Sequence, residues 1–127
     1  MVTGRVVGEK TQAGEGTLRA ILAGAPDGAT ALIAPETDAR WSYGALRDQV
    51  VALAGQLAAL GIGRGDRVAI VLPDGPAIVA AFLAVVHDGA VAAPLNRAYT
   101  ADEFAFYFDD IGPRALIVLP GEAAAAR

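Results

Sequence analysis

From Ser42 onward, two kinds of apolar segment alternate along the chain. Longer stretches repeat apolar residues at the period of a helix, and short runs of consecutive apolar residues have the length of a buried strand. The short runs are residues 68–72, 90–93 and 115–119. Strands that alternate with helices are joined by crossovers and pair in parallel. The pattern therefore predicts an α/β fold with a mostly parallel sheet flanked by helices.

The helices that flank these strands have recognisable ends. We expect them over residues 44–60, 77–87 and 101–110. Ser42 stands at the N-cap position of the first helix. Thr100 and Glu103 have the spacing of a capping box at the start of the third. Cap residues therefore locate the beginnings of two of the three helices.

The segment before Ser42 is less regular. Residues 17–24 predict a short helix, and residues 30–34 with 40–42 predict a β-hairpin. A chain of 127 residues can form one domain. We expect that domain over residues 17–120, after a loose lead-in over residues 1–16 and before a tail over residues 121–127.

Composition excludes several classes of function. The formal net charge is −4, so the chain has no basic field that would attract nucleic acid. It has no cysteine and one histidine, His87, so we expect no disulfide and no metal site. No apolar run is long enough to span a membrane, and no secretory signal is recognisable. We therefore expect a cytoplasmic protein.

Reactive side chains are scarce. Ser42 is the only serine and Lys10 the only lysine. The serine fits an N-cap better than a nucleophile, and the residues before Lys10 lack the glycine spacing of a phosphate-binding loop. We accordingly assign no catalytic, cofactor-binding or metal-binding residue to this chain.

Three polar segments are better explained by structure than by chemistry. Residues 61–65 follow a helix and precede a strand, the reverse of the order in a dinucleotide-binding loop, so a helix C-cap and turn are favoured. Asp66 and Arg67 fit the polar lip of a turn. His87, beside Asp88, fits a cation at the C-terminal end of a helix.

For the loop over residues 94–100, a ligand-binding role and a purely structural role are more evenly supported than for any other polar segment. It follows the carboxyl end of a predicted parallel strand, and ligands of open α/β sheets bind beyond those ends. Alternatively, Asn96 and Thr100 serve only the turn and the helix cap. The sequence leaves both interpretations open.

Several stretches, taken together and in order, resemble the adenylate-forming enzyme superfamily. The family patterns are T-Y-x-E-L…L-A-x-x-L, L-G-V-x-x-G-D-R-V-A-I and F-L-A-x-x-x-x-G-A-V-x-x-P-L-N. The matching segments are residues 41–46, 53–57, 60–70, 82–85 and 89–96. Their joint order and spacing, over about residues 17–119, make the resemblance specific.

Within this family, residues 92–96, 98–104 and 106–107 look most similar to oxalate–CoA ligases and their relatives. The sequence departs from the family pattern at Ala45, where a glutamate is usual, and at Asp74, where an asparagine is usual. The resemblance implies a partial N-terminal subdomain of the adenylate-forming enzyme fold.

The resemblance also implies a function for the full-length relative. Such enzymes activate a carboxylate with ATP to an acyl-adenylate and pass the acyl group to CoA, so ATP, magnesium and CoA are the implied cofactors. Their phosphate loop, magnesium-binding glutamate, ribose-binding aspartate and C-terminal lysine have no match here. We expect a truncated acyl-CoA synthetase, inactive alone, whose partner is the remainder of the synthetase or a second copy.

Two alternatives remain open. One is a stand-alone interaction or ligand-binding module that kept the subdomain without catalysis. The other, a flavodoxin-like domain, follows from the alternation alone, but residues 73–76 lack donors for a phosphate. We also expect the isolated chain to expose an uncovered apolar face, because residues 68–72 and 77–86 are apolar almost all round.

Overall fold

The computed structural model describes residues 17–127, which fold around a three-stranded parallel sheet with a separate two-stranded hairpin. The helices are α1 (Leu18–Ala23), α2 (Tyr43–Ala59), α3 (Pro76–His87) and α4 (Ala101–Ile111). The strands are β1 (Thr30–Ala34), β2 (Ala39–Ser42), β3 (Arg67–Val71), β4 (Val91–Pro94) and β5 (Ala115–Val118). A short 3₁₀ helix, Ala124–Ala126, follows β5. The lead-in expected over residues 1–16 lies outside the described residues.

The parallel sheet has the strand order β4-β3-β5. Val68 of the central strand lies opposite Ala92 on one side and Ala115 on the other, and both pairings are parallel. The connection through α3 leads from β3 to β4, and the connection through α4 carries the chain past β3 to β5. The predicted α/β fold with a parallel sheet is therefore confirmed.

The two connecting helices cover opposite faces of the sheet. Val68 and Ile70 lie on one face, because side chains alternate along a strand, and pack with buried residues of α2 and α3. Val71 lies on the other face, where it packs with Phe104 of α4 and with Ala126. The core is thus divided into two layers by a strand that is buried on both sides.

Strand β3, one of the two elements from which an uncovered apolar face was expected, is covered within the described residues. Residues 68–71 are at most 2% exposed, because helices cover both faces of this strand. Ile78, Phe82 and Leu83 of α3 are half-buried and pack against the same core. The most exposed large apolar side chains lie on α1, just after α2 and on α4: Ile21, Leu60 and Phe106. Among helices of residues 17–127, none has the length and apolar content to cross a bilayer.

The segment before α2 is tied to that helix by polar contacts. Gly44 N donates to Asp27 O at 2.9 Å, and a Cβ at position 44 would lie 3.3 Å from the same oxygen. Arg47 donates to the carbonyls of Leu22 and Ala25, each at 2.8 Å, and pairs with Asp27. These contacts hold the end of α1 and the loop after it against the body of the domain.

The predicted caps of α2 and α4 are confirmed. Ser42 Oγ accepts a first-turn backbone N–H at 3.1 Å. At α4, Thr100 Oγ1 accepts from Glu103 N at 3.2 Å, and Glu103 Oε1 accepts from Thr100 N at 2.9 Å. The start of α3 differs, since its N-cap is Gly75, without a side-chain bond, and its first residue is Pro76. The fixed φ of proline suits a first helical turn.

Candidate functional site

The loops that follow β3, β4 and β5 meet at the carboxyl edge of the sheet. A depression of about 260 Å³ lies there, lined by Val71, Arg97, Ala98, Glu122 and Ala123. Each of the three parallel strands or the loop after it contributes to the lining. Since ligands of doubly wound sheets bind at this edge, where connections leave to opposite faces, this depression is the candidate functional site.

The loop over residues 94–100 forms one wall of the site, and its polar groups are largely used within the loop. Leu95 N donates to Ile70 O at 2.9 Å, which fixes the loop to the central strand. Asn96 Oδ1 accepts from Ala98 N at 2.9 Å, and Asn96 O accepts from Tyr99 N at 3.1 Å. The side chain of Asn96 therefore stabilises the turn, which is one of the two roles that the sequence left open.

Aromatic side chains support the same wall from behind. The ring of Tyr99 stacks on Tyr107 at a centroid distance of 5.0 Å and meets the buried ring of Phe104 edge-on at 5.6 Å. A side-chain hydrogen bond with Tyr107, and then desolvation, raise the pKa of Tyr99 above its usual value. The Tyr99 hydroxyl therefore stays protonated at neutral pH and is no candidate for a general base.

The charged groups at the rim are one arginine and one glutamate. Arg97 Nη1 lies 3.8 Å from Glu122 Oε1, and both side chains are about half exposed. An exposed pair at this distance contributes little stability, so both groups remain available to a ligand. Arg127 holds the loop that carries the glutamate by donating to Glu122 O at 2.9 Å and to Leu119 O at 2.8 Å.

This arrangement can orient a small polar ligand, and it holds no catalytic constellation. Its rim offers a cation and an anion, without a nucleophile beside a base. Within the described part of the chain, no group of three histidine, aspartate or glutamate side chains could hold a metal ion.

The start of α3 does not fit the phosphates of ATP. A depression of about 280 Å³ lies there beside Gly75, and its lining includes the carboxylates of Glu36 and Asp74. Pro76, the first residue of the helix, has no N–H to donate. Two negative charges and a missing donor oppose the binding of a polyphosphate at this helix start.

Asp66 and Arg67 have a structural role that is more specific than a solvated turn. Asp66 Oδ2 accepts from Gly63 N at 2.8 Å and from Arg114 Nη1 at 3.0 Å. The bond from Gly63 is the main cause that lowers the pKa of Asp66, with Arg114 adding to it against desolvation. Arg67 Nε donates to Ile111 O at 2.7 Å, at the end of α4.

Residues 61–65 form the turn that the sequence predicted. Gly61 and Gly65 have φ of +85° and +82°, a conformation that glycine adopts without strain. Arg114 Nη1 also approaches Gly61 O at 3.4 Å. Together with Asp66 and Arg67, this turn ties the start of β3 to the end of α4 and the start of β5. These segments lie at the amino edge of the sheet, away from the candidate site.

Sequence reasoning missed Arg114 and Glu122. Arg114 follows Gly112 and Pro113, which come after α4, and lies in none of the predicted helices and strands. Glu122 lies in the segment expected to be a tail. The signal that could have found Glu122 is topological, because the segment after β5 must leave from the same edge as the loop after β4.

The fold and the edge depression define a doubly wound α/β domain, the class whose ligands bind beyond the carboxyl ends of parallel strands. The family model described as "AMP-binding enzyme" matches residues 18–127. The chain therefore belongs to the AMP-binding enzyme family, which confirms the resemblance to adenylate-forming enzymes.

Curated relatives of the chain include proteins named as CoA ligases. A "Probable CoA ligase CCL9" of Humulus lupulus is 44% identical over 86 residues, which are 68% of this chain and 16% of that protein. An "Oxalate--CoA ligase" of Arabidopsis thaliana is 43% identical over 72 residues, 53% of this chain and 14% of that protein. The chain thus spans about a sixth of the length of the curated relatives it matches.

A solved structure supports the same assignment. The chain resembles the crystal structure of the N-terminal domain of FACL13 from Mycobacterium tuberculosis, with a TM-score of 0.65 and 35% sequence identity. The match covers 70% of this chain and 22% of that domain. The fold described above is accordingly that of part of an N-terminal domain of an adenylate-forming enzyme.

Proposed function

We propose that this chain is the N-terminal part of an acid–CoA ligase that forms an acyl-adenylate. In the complete enzyme, ATP activates a carboxylate, and the acyl group then passes to CoA as a thioester. The observation that carries the proposal is the match of residues 18–127 to the AMP-binding family together with relatives named as CoA ligases. ATP, magnesium and CoA are the cofactors proposed for that enzyme.

The chain alone is proposed to be catalytically inactive. Its single lysine, Lys10, and single serine, Ser42, cannot supply the serine-rich phosphate loop and the lysine that the family resemblance implies. Ser42 is also engaged as a helix cap. The chain contributes to the enzyme a folded subdomain against which the other parts of the enzyme pack. We propose that the enzyme is cytoplasmic.

The partner proposed for the chain is the remainder of the synthetase. Support comes from the small share of each relative that the chain matches, and from β4 and β5, which have no outer neighbour among the described residues. An open strand edge is a ready site for further pairing. A second copy of the chain is the other partner that could occupy it.

The gene tests this proposal. The account expects the codons that continue the same reading frame, or an adjacent frame, to encode the phosphate loop and the C-terminal lysine of the family. Reading the genomic DNA beyond the codon for Arg127 is the measurement. A stop codon followed only by unrelated frames would overturn the proposal that this chain is the N-terminal part of a ligase whose remainder is encoded beside it.

A second function, a stand-alone ligand-binding or interaction module, is favoured by one observation. The central strand is buried on both faces within residues 17–127, so the core does not need a further layer. Such a module would use the depression at Arg97 and Glu122 for a small polar ligand. Stable monomeric behaviour of the chain would favour this function over the first.

A further inference from the structure

A third depression lies at the amino edge of the sheet, opposite the candidate functional site. Its volume is about 370 Å³. Arg19 of α1, Arg64 of the turn before β3, and the residues that end α3 line it, namely His87, Asp88 and Gly89. Two guanidinium groups therefore face one cavity that no part of the proposed function uses.

The charges in this cavity do not cancel. Asp88 Oδ1 lies 3.1 Å from His87 Nδ1 and 3.5 Å from Arg19 Nη1, so the one carboxylate is already shared. Arg64 is exposed and has no hydrogen bond or ion pair within residues 17–127. The guanidinium of Arg64 is therefore the uncompensated charge of the cavity.

Gly89 determines where that guanidinium lies. The φ of Gly89 is +90°, and a Cβ there would lie 3.2 Å from Cζ and 3.3 Å from Nη1 of Arg64. Another residue at this position would strain the backbone and displace the guanidinium. The absence of a side chain at Gly89 thus leaves room for the Arg64 guanidinium beside the backbone of residue 89, in the lining of the cavity.

We propose that this cavity binds a small oxyanion, either free phosphate or the phosphate group of a phosphomonoester. Arg64 supplies a planar fork of N–H donors that suits such an anion. Arg19 lines the same cavity and has further donors, since only its Nη1 contacts His87 O and Asp88. Asp88 and the carbonyl end of α3 oppose the anion. Because Arg19 and Arg64 are exposed, salt screens their attraction for the anion, and binding weakens as the salt concentration rises.

The test is an NMR titration of the whole chain with inorganic phosphate at low ionic strength. We expect saturable shifts at the amides of Gly65 and Gly89 and at the Arg64 side chain. Arg64→Gln should weaken binding about tenfold, the usual effect of losing a charged hydrogen-bond donor. Arg40→Gln should leave the affinity for phosphate unchanged. This control also removes an exposed arginine that has no partner among the described residues.

Ribose 5-phosphate and ribose distinguish the two sources of the phosphate group. Tighter binding of ribose 5-phosphate than of inorganic phosphate, with no binding of ribose, assigns a phosphomonoester, and equal binding of the two phosphates assigns free phosphate. Gly89→Ala should weaken either ligand, and circular dichroism tells whether that variant folds. Shifts that do not saturate, or equal affinity in Arg64→Gln, would overturn the site. These outcomes do not test the proposed ligase function, which has its own experiment.

Discussion

At the scale of single residues, Asp66 joins segments that lie far apart in the chain. Its carboxylate accepts from Gly63, in the preceding turn, and from Arg114, at the start of β5. Its backbone carbonyl accepts from Val91 N at 2.7 Å, at the start of β4. One residue therefore connects the amino ends of all three parallel strands.

Replacing Asp66 by Asn should lower the thermal unfolding midpoint. The amide keeps the shape of the carboxylate, but its charge-assisted bonds to Gly63 and Arg114 are weakened. The matched control is Asp48→Asn, because Asp48 is exposed and unpaired within the described residues. An equal midpoint for the two variants would contradict this role.

The same residue predicts a pH dependence. Because the folded-state pKa of Asp66 is lowered from 3.8, its contribution is fully present above that value. It is lost as the pH falls through the lower pKa of the folded state. Urea unfolding at several acidic pH values should show a loss of stability below pH 3.8 that is smaller in Asp66→Asn. Identical pH profiles would show that the carboxylate does not contribute.

At the scale of elements, most of the sheet and helices from β3 onward could be predicted, since each has a local signal. The run at residues 68–72 is uninterrupted, and Thr100 with Glu103 marks the start of α4. The pair between Asp66 and Arg114 could not be predicted, because it spans 48 positions and depends on how β3 and β5 pair.

Only one of the two walls of the candidate site could be predicted, because the other depends on how distant segments of the chain come together. The loop over residues 94–100 has a clear position after a strand, so its place at the carboxyl edge followed from the sequence. The second wall comes from Glu122 and Ala123, in a segment without periodicity. Ala123 adopts a φ of +55°, which no side-chain pattern indicates for alanine.

Helix α4 allows a matched test of packing. Phe104 is 1% exposed and fills the layer between α4 and β3, whereas Phe106, two residues on, is 67% exposed. Phe104→Ala should reduce the free energy of unfolding by about 3–5 kcal/mol through loss of burial and a cavity. Phe106→Ala should change it little. Chemical denaturation measures both, and similar effects would mean that α4 does not cover the sheet as described.

At the scale of the whole molecule, the core is closed but the sheet is open at both edges. β3 has two neighbours, while β4 and β5 each have one among the described residues. Large apolar side chains are also exposed at Ile21 and Leu60. The open edges, and not an uncovered core face, are therefore the feature that calls for a partner.

The purified chain should accordingly self-associate at micromolar concentration. Unpaired backbone groups along β4 and β5 can pair with another copy when the rest of a larger sheet does not cover them. Light scattering measures the association, and a hydrophobic dye reports exposed apolar surface. A monodisperse monomer that does not bind the dye would instead favour the stand-alone module.

The chain belongs to the AMP-binding enzyme family, and we propose that it forms a structural part of a ligase and is inactive by itself. ATP–pyrophosphate exchange with a panel of carboxylates tests it most directly, with a heat-inactivated sample as control. The account predicts no exchange above the control for any carboxylate, because the chain supplies neither a phosphate loop nor the catalytic lysine. Carboxylate-dependent exchange above the control would contradict it.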